Sequence, residues 1–315
     1  MMPARLLGAI GRAGTSALPV GIALGLLLPD LAQFARPWLA PVVFLMLTVT
    51  MVRVRPQEAL AYLGRPVRLA VLLGLMMVAL PAVLATVLKA CGVPPALVTA
   101  ITLYALSPPL LAAAALALML GLNYPMTLVT SLVATMLAPL TVPPLLDLLA
   151  GVRLDISVGA LMLRIGIMTF GSLALSLVLR RLIGPPRIEA ARDHIAGIFV
   201  LLMFVFSIAI MDTVVDRLGR APWDVALYTG VVCAVNLGLQ ALGLVAVPAL
   251  GRDEGTAVAL MAGNRNMGIT ISVMGMAPDS DVFLFFAAAQ VPIYILPALL
   301  RPLYRRLVRP RPAAA

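Results

Sequence analysis

Charge is scarce in this chain. Asp, Glu, Lys and Arg make up 11% of its 315 residues, against about 25% in an ordinary soluble domain. That shortage excludes a typical cytosolic enzyme, and a disordered regulator too, because disorder goes with high charge and few apolar residues. Histidine occurs once, at His194, and cysteine twice, at Cys91 and Cys233. A single histidine with no HExxH motif and no grouped cysteines excludes a usual zinc site. The two cysteines lie in separate apolar runs and read as packing thiols, and His194, between Asp193 and Ile195, reads as a solvated side chain at a helix start. There is no Walker loop, and no nucleophile with a base can be assembled, so neither ATP hydrolysis nor an enzymatic reaction nor a cofactor is expected. The net charge is +10, yet the basic residues fall between apolar segments and form no patch for a nucleic acid. Met1 to Gly14 carries Arg5 and Arg12 but no small-residue cleavage site, so the first apolar segment is expected to stay as a helix.

What is abundant is apolar surface. Hydrophobic residues are 62% of the chain and mean hydropathy is +1.08. At about 30 residues for a span and its connection, there is room for about ten membrane helices. Apolar windows bounded by Arg, Pro and Gly place them at 16–34, 37–52, 67–90, 94–120, 123–150, 155–182, 194–218, 223–250, 252–276 and 279–303. With the N-terminus inside, sixteen Lys and Arg fall on one side and five on the other, and Arg164 and Arg265 lie within spans, which accounts for all 23. The positive-inside rule puts both termini in the cytoplasm, and the location expected is a bacterial inner membrane. The fold class expected is an all-α polytopic membrane protein, with a five-helix repeat over 16–150, a second over 155–304 and a basic tail over 305–315.

Five helices per half require the second half to be inverted, the arrangement of many secondary transporters. The sequence pointer to a binding site in such folds is an interruption at corresponding places in both halves, and the fourth helix of each half has one. Ser107-Pro108-Pro109 interrupts the first, and Gly263-Asn264-Arg265-Asn266 interrupts the second. Two prolines remove two amide donors and push Ser107 out of helical conformation. Irregular backbone at that depth is tolerated only inside protein or beside a wet cavity. Half-helix N-termini pointed at a shared midplane site would favour an anionic ligand.

The stretch from Ser107-Pro108-Pro109 through Asn123, followed by Thr127, Ser131, Thr135, Ala138 and Pro139, resembles the fourth and fifth helices of the bile acid:sodium symporter family. Gly263-Asn264-Arg265-Asn266-Met267-Gly268 is similar to that family's ninth-helix signature. The resemblance implies a panel domain of helices 1, 2, 6 and 7, a core domain of helices 3–5 and 8–10 in which broken helices 4 and 9 cross, and alternating access by motion of core against panel. It also implies two sodium ions at the crossover, held by a Glu and a Gln of helix 9, a Ser-Asn pair of helix 4, hydroxyls of helix 5 and a Gln of helix 3. Here those positions are Met261, Arg265, Ala113 with Ala114, and Met76. Only Thr127, Ser131 and Asn266 retain oxygen donors, so they are the residual sodium candidates. Two sodium ions and one Glu carry a net +1, as does Arg265 alone, whose guanidinium can hold a carboxylate in a bidentate fork.

The expected function is therefore secondary-active or facilitative transport of a small organic anion, a carboxylate by preference. Arg265, Asn264, Asn266, Ser107, Thr127 and Ser131 would bind it, and Pro108, Pro109 and Gly263 would shape the crossover backbone. A sodium-coupled symporter using the residual ligands is one alternative, and a transport-inactive membrane receptor or scaffold locked by Arg265 is another. The alternative use of Arg265 is as a structural cation on half-helix carbonyls, and Asn264 and Asn266 can cap as well as touch a ligand. Asn236 with Gln240 and Gln290 with Tyr294 share helix faces at i and i+4, as interhelical hydrogen-bonding pairs or a polar cavity rim. Arg164, which follows Arg153 and Asp155, reads as an ion-paired or snorkelling side chain, and Asp147, Asp212 and Asp216 read as helix-end carboxylates in reach of water. Gly21 and Gly25 form a small-xxx-small packing pair. Oligomeric state and coupling ion stay open, and the partners expected are the small organic anion and the lipid bilayer, with no nucleic acid.

Overall fold

The computed structural model describes residues 17–54, 64–150, 156–245, 247–275 and 280–308. Arg5, Arg12, Arg153, Asp155 and the tail from Arg309 lie outside the described residues. Among the described residues, eighteen helices run in chain order: α1 Ala17–Leu27, α2 Pro29–Ala35, α3 Leu39–Val52, α4 Pro66–Gly74, α5 Leu80–Ala90, α6 Pro95–Leu106, α7 Ala113–Leu120, α8 Tyr124–Leu149 and α9 Val158–Ile183, then α10 Pro185–Ala190, α11 Arg192–Ala209, α12 Met211–Arg220, α13 Pro222–Leu244, α14 Val247–Leu250, α15 Arg252–Gly263, α16 Gly268–Met274, α17 Asp281–Leu299 and α18 Arg301–Leu307. Seven helical segments among them are long and apolar enough to cross a membrane. The chain is a polytopic integral membrane protein.

Each window expected from the sequence holds helix, but several are divided. The first divides at Leu28, whose extended backbone precedes Pro29, as the restriction on a pre-proline residue requires. A 3₁₀ turn over Arg36–Trp38 then leads directly into α3. A single π turn, Leu75–Ala79, joins α4 to α5. Asn123, Ser157 and Ser280 cap α8, α9 and α17 by accepting from the amides of Met126, Ala160 and Phe283, which satisfies donors that the first turn of a helix leaves free. Prolines remain inside α8, at Pro139, Pro143 and Pro144, and inside α17, at Pro292 and Pro297.

Small residues set the closest helix contacts, as expected of packing in lipid. A Cβ on Gly21 would lie 1.9 Å from Ser207 Oγ, and one on Gly25 would lie 2.7 Å from Met211 Cβ, so the small-xxx-small pair seats α1 on α11 and α12. Between α13 and α15, a Cβ on Gly243 would lie 2.6 Å from the Ala259 Cα.

Two ends of the bundle are chemically distinct. At the arginine-rich end, Glu254 Oε2 lies 3.2 Å from Arg68 Nη1 and Glu254 Oε1 accepts from Asn123 Nδ2 at 3.4 Å, joining the starts of α4, α8 and α15. Arg180 Nη1 donates there to Val52 O and Val54 O at 2.7 and 2.6 Å. At the aspartate end, Arg36 pairs with Asp212 at 2.8 Å, and Arg217 pairs with Asp281 at 2.6 Å and Asp224 at 3.1 Å. Asp216 is taken by Arg220 at 2.8 Å. Trp38 and Trp223 are exposed at this second end, where interfacial aromatics anchor membrane proteins. Cys233 is half-buried as a packing thiol is, but Cys91 is exposed, because it falls just past the end of α5. His194 is half-buried at the start of α11.

Candidate functional site

The two interruptions meet. Pro108 O accepts from the Asn266 amide at 2.8 Å, and Leu110 N donates to Asn264 O at 2.9 Å, an antiparallel two-bond bridge centred on Pro109 and Arg265. Broken helices inside a membrane must satisfy the backbone groups they release. Here each break satisfies part of the other.

The remaining carbonyls are met by side chains. Gly263 O accepts from Asn236 Nδ2 at 2.6 Å and from the Tyr104 hydroxyl. Asn236 Nδ2 also donates to Tyr104 OH at 3.0 Å, Gln240 donates to Asn236 Oδ1, and the Tyr304 hydroxyl donates to Gln240 Oε1. The side without a Cβ is needed for this approach: one on Gly263 would lie 2.4 Å from Gln240 Cγ.

Arg265 is fully buried at the same crossing. Its Nε donates to Ala262 O at 2.8 Å, and its Nη1 donates to Met76 O and Ser107 O, both at 3.2 Å. Met76 belongs to the π turn, whose irregular bonding places a carbonyl in reach. Ser107 and Ala262 lie at the C-terminal ends of α6 and α15. Each helix C-terminus carries roughly half a negative charge, so two of them together match one guanidinium. C-terminal carbonyls therefore surround the guanidinium itself, whereas the residues that open half-helices α7 and α16, Leu111 with Ala112 and Met267 with Gly268, line a cavity beside it. The expected bidentate fork is corrected. Nε has one hydrogen and Nη1 two, all three spent on carbonyls, which leaves only Nη2, buried without a partner.

A cavity of about 90 Å³ has Arg265, Asn266, Gln290, Tyr294 and Thr50 in its lining, with an apolar wall that includes Phe206. A wider cleft of about 500 Å³ adjoins it and reaches Arg53 and Arg192 at the arginine-rich end. The two share Thr50, Leu111, Ala112 and Phe199 as walls, so they are neighbours between α3 and α11 on one side and the helix breaks on the other. Burial, and then the like charge of Arg192, push the Arg53 guanidinium below its ordinary pKa.

Of the residues the sequence singled out, Arg265 and Asn266 line the cavity, and so do Gln290 and Tyr294. Ser107, Thr127 and Ser131 do not: their hydroxyls donate to Leu103 O at 2.8 Å, to Asn123 O at 2.9 Å and to Met261 Sδ at 3.8 Å. Asn264 caps, donating to Leu260 O at 2.8 Å, while its Oδ1 is buried without a partner. Asn236 and Gln240 are buried supports of Gly263 rather than a cavity rim. Among the described residues, Arg164 takes the Val273 carbonyl at 3.0 Å, at the last turn of α16, and Asp155 lies outside them. Arg164, Arg180 and Arg265 thus share one use, a guanidinium on helix C-terminal carbonyls.

Two residues of this architecture escape a sequence reading. Tyr104 lies in the apolar run of α6, where its hydroxyl carries no pattern. Glu254, in the first turn of α15, looks like an ordinary dipole partner, although it is buried.

No protein-family model matches the chain, and no curated protein matches it. The fold and site define a helical polytopic membrane protein with two broken helices joined at a buried arginine.

Proposed function

We propose that the chain is a secondary transporter of a small organic anion, built as ten transmembrane helices in two inverted repeats of the bile acid:sodium symporter kind. Arg265 stands as a resident cation where that family places ions. The observation that carries the reading is a buried arginine with an unpartnered Nη2, which belongs to the lining of a cavity that shares walls with a cleft toward one end. A charge kept dry at such expense is a functional group by default, and its remaining donors suit one carboxylate oxygen. Positions that the resemblance aligns with sodium ligands support this: Arg265 reaches Met76 O, and the Ser131 hydroxyl is spent on the thioether of Met261. Thioether and alanine side chains are poor sodium donors, so the described side chains do not fit the family's ion sites.

The test is thermal unfolding of the purified protein against a panel of organic monoanions, in sodium chloride and in choline chloride, with Arg265→Lys and Asn266→Ala alongside. An anion is expected to raise Tm equally in both salts and to lose at least tenfold in affinity in each variant. Stabilisation confined to sodium would return Thr127, Ser131 and Asn266 as ion ligands. No response to any anion would leave the second reading, a scaffold locked by Arg265, which the three carbonyls bound by Nε and Nη1 favour.

A further inference from the structure

The seam that holds the cavity is open at one end and fastened at the other. Toward the arginine-rich end, α3 and α11 stand off from Leu111, Ala112 and Tyr124 across the 500 Å³ cleft. Toward the aspartate end the same groups of helices are tied. Arg217 of α12, which continues α11, reaches Asp281 at the start of α17 at 2.6 Å. Arg36, in the turn that leads into α3, lies with Cζ 4.9 Å from the centroid of Phe283, also in α17.

We infer that Arg217 with Asp281, and Arg36 with Phe283, form a gate that shuts the aspartate end while the cavity is open to the other. The inference rests on the transport reading, which requires each end to open in turn. The pairing favours a reversible gate. Asp224 lies seven positions along from Arg217, across the tight turn at Ala221, and Asp212 follows α11. In this structure Arg217 also holds Asp224 at 3.1 Å and Arg36 holds Asp212 at 2.8 Å, and neither carboxylate belongs to α17, so each guanidinium has a partner when α17 moves away. No guanidinium is left bare, and the pairs that part are partly solvated, with side chains 21% and 35% exposed for Arg217 and Asp281. Such pairs shift an equilibrium by a few-fold rather than by orders of magnitude.

The experiment uses the full chain with Cys91→Ser and Cys233→Ala, and Met46→Cys as a reporter in the cavity wall. Reaction with a membrane-impermeant maleimide is followed in right-side-out and in inverted vesicles. The parent is expected to react from one face only. Asp281→Asn and Arg217→Gln are each expected to raise reaction from the other face about fivefold, with Asp224→Asn raising it less. Equal reaction of the parent from both faces overturns the gate, as does an unchanged rate in both variants when they elute as monodisperse protein. Anion-dependent stabilisation without a gate response fails the gate alone, and a gate response without anion-dependent stabilisation fails the anion reading alone.

Discussion

Arg265 shows how a residue can be found in the sequence while its geometry is not. An arginine inside an apolar window is expensive enough to stand out, and its charge is the feature that composition reveals. Its partners are main-chain carbonyls from three separate segments, and no side-chain pattern encodes those. Tyr104 is the opposite case, invisible as a phenol in an apolar run yet bound to the carbonyl that ends α15. Tyr104→Phe removes one of two donors to Gly263 O and an acceptor from Asn236. It is expected to lower stability by about 1–2 kcal/mol in thermal unfolding, as loss of a buried hydrogen-bond partner does. Ser107→Ala is expected to change it by less than about 0.5 kcal/mol, because that hydroxyl only donates back to the carbonyl four residues earlier in its own helix.

At the level of elements, the breaks were legible because Pro108 and Pro109 cannot continue a helix and Gly263-Asn264-Arg265-Asn266 cannot face lipid. The split at Leu28 was equally encoded by Pro29. The π turn over Leu75–Ala79 was not, since Leu, Met, Val and Ala suit an α-helix as well and its cause is tertiary. Glycines were legible as packing residues but not by seam. Gly263→Ala would bring a methyl to 2.4 Å from Gln240 Cγ and 2.8 Å from Asn236 O, so it is expected to destabilise by about 1–3 kcal/mol. A methyl on Gly74 would meet no atom of another segment within 4 Å. Gly74→Ala, also within a helix, is expected to be neutral or to raise stability by up to about 1 kcal/mol. Unfolding curves of the two variants side by side check both.

For the whole molecule, hydropathy and the distribution of arginines gave membrane character and two unlike ends, because both are sums over many residues and tolerate local error. Where the ends are tied was hidden, since Arg36 is far in the chain from Asp212, as Arg217 is from Asp281, and each looks like an ordinary charge at a helix end. The crossing of the two breaks has a mechanical consequence. It is fastened by main-chain groups, Pro108 O to the Asn266 amide and Leu110 N to Asn264 O. Pulling α15 and α16 therefore drags α6 and α7 along, and the four half-helices behave as a single lever. Irregular backbone usually exchanges its amide hydrogens quickly, while buried cooperative units exchange slowly. The amides of Leu110 and Asn266 are expected among the slowest in the molecule by hydrogen–deuterium exchange, and fast exchange at both would mean that the lever has a joint.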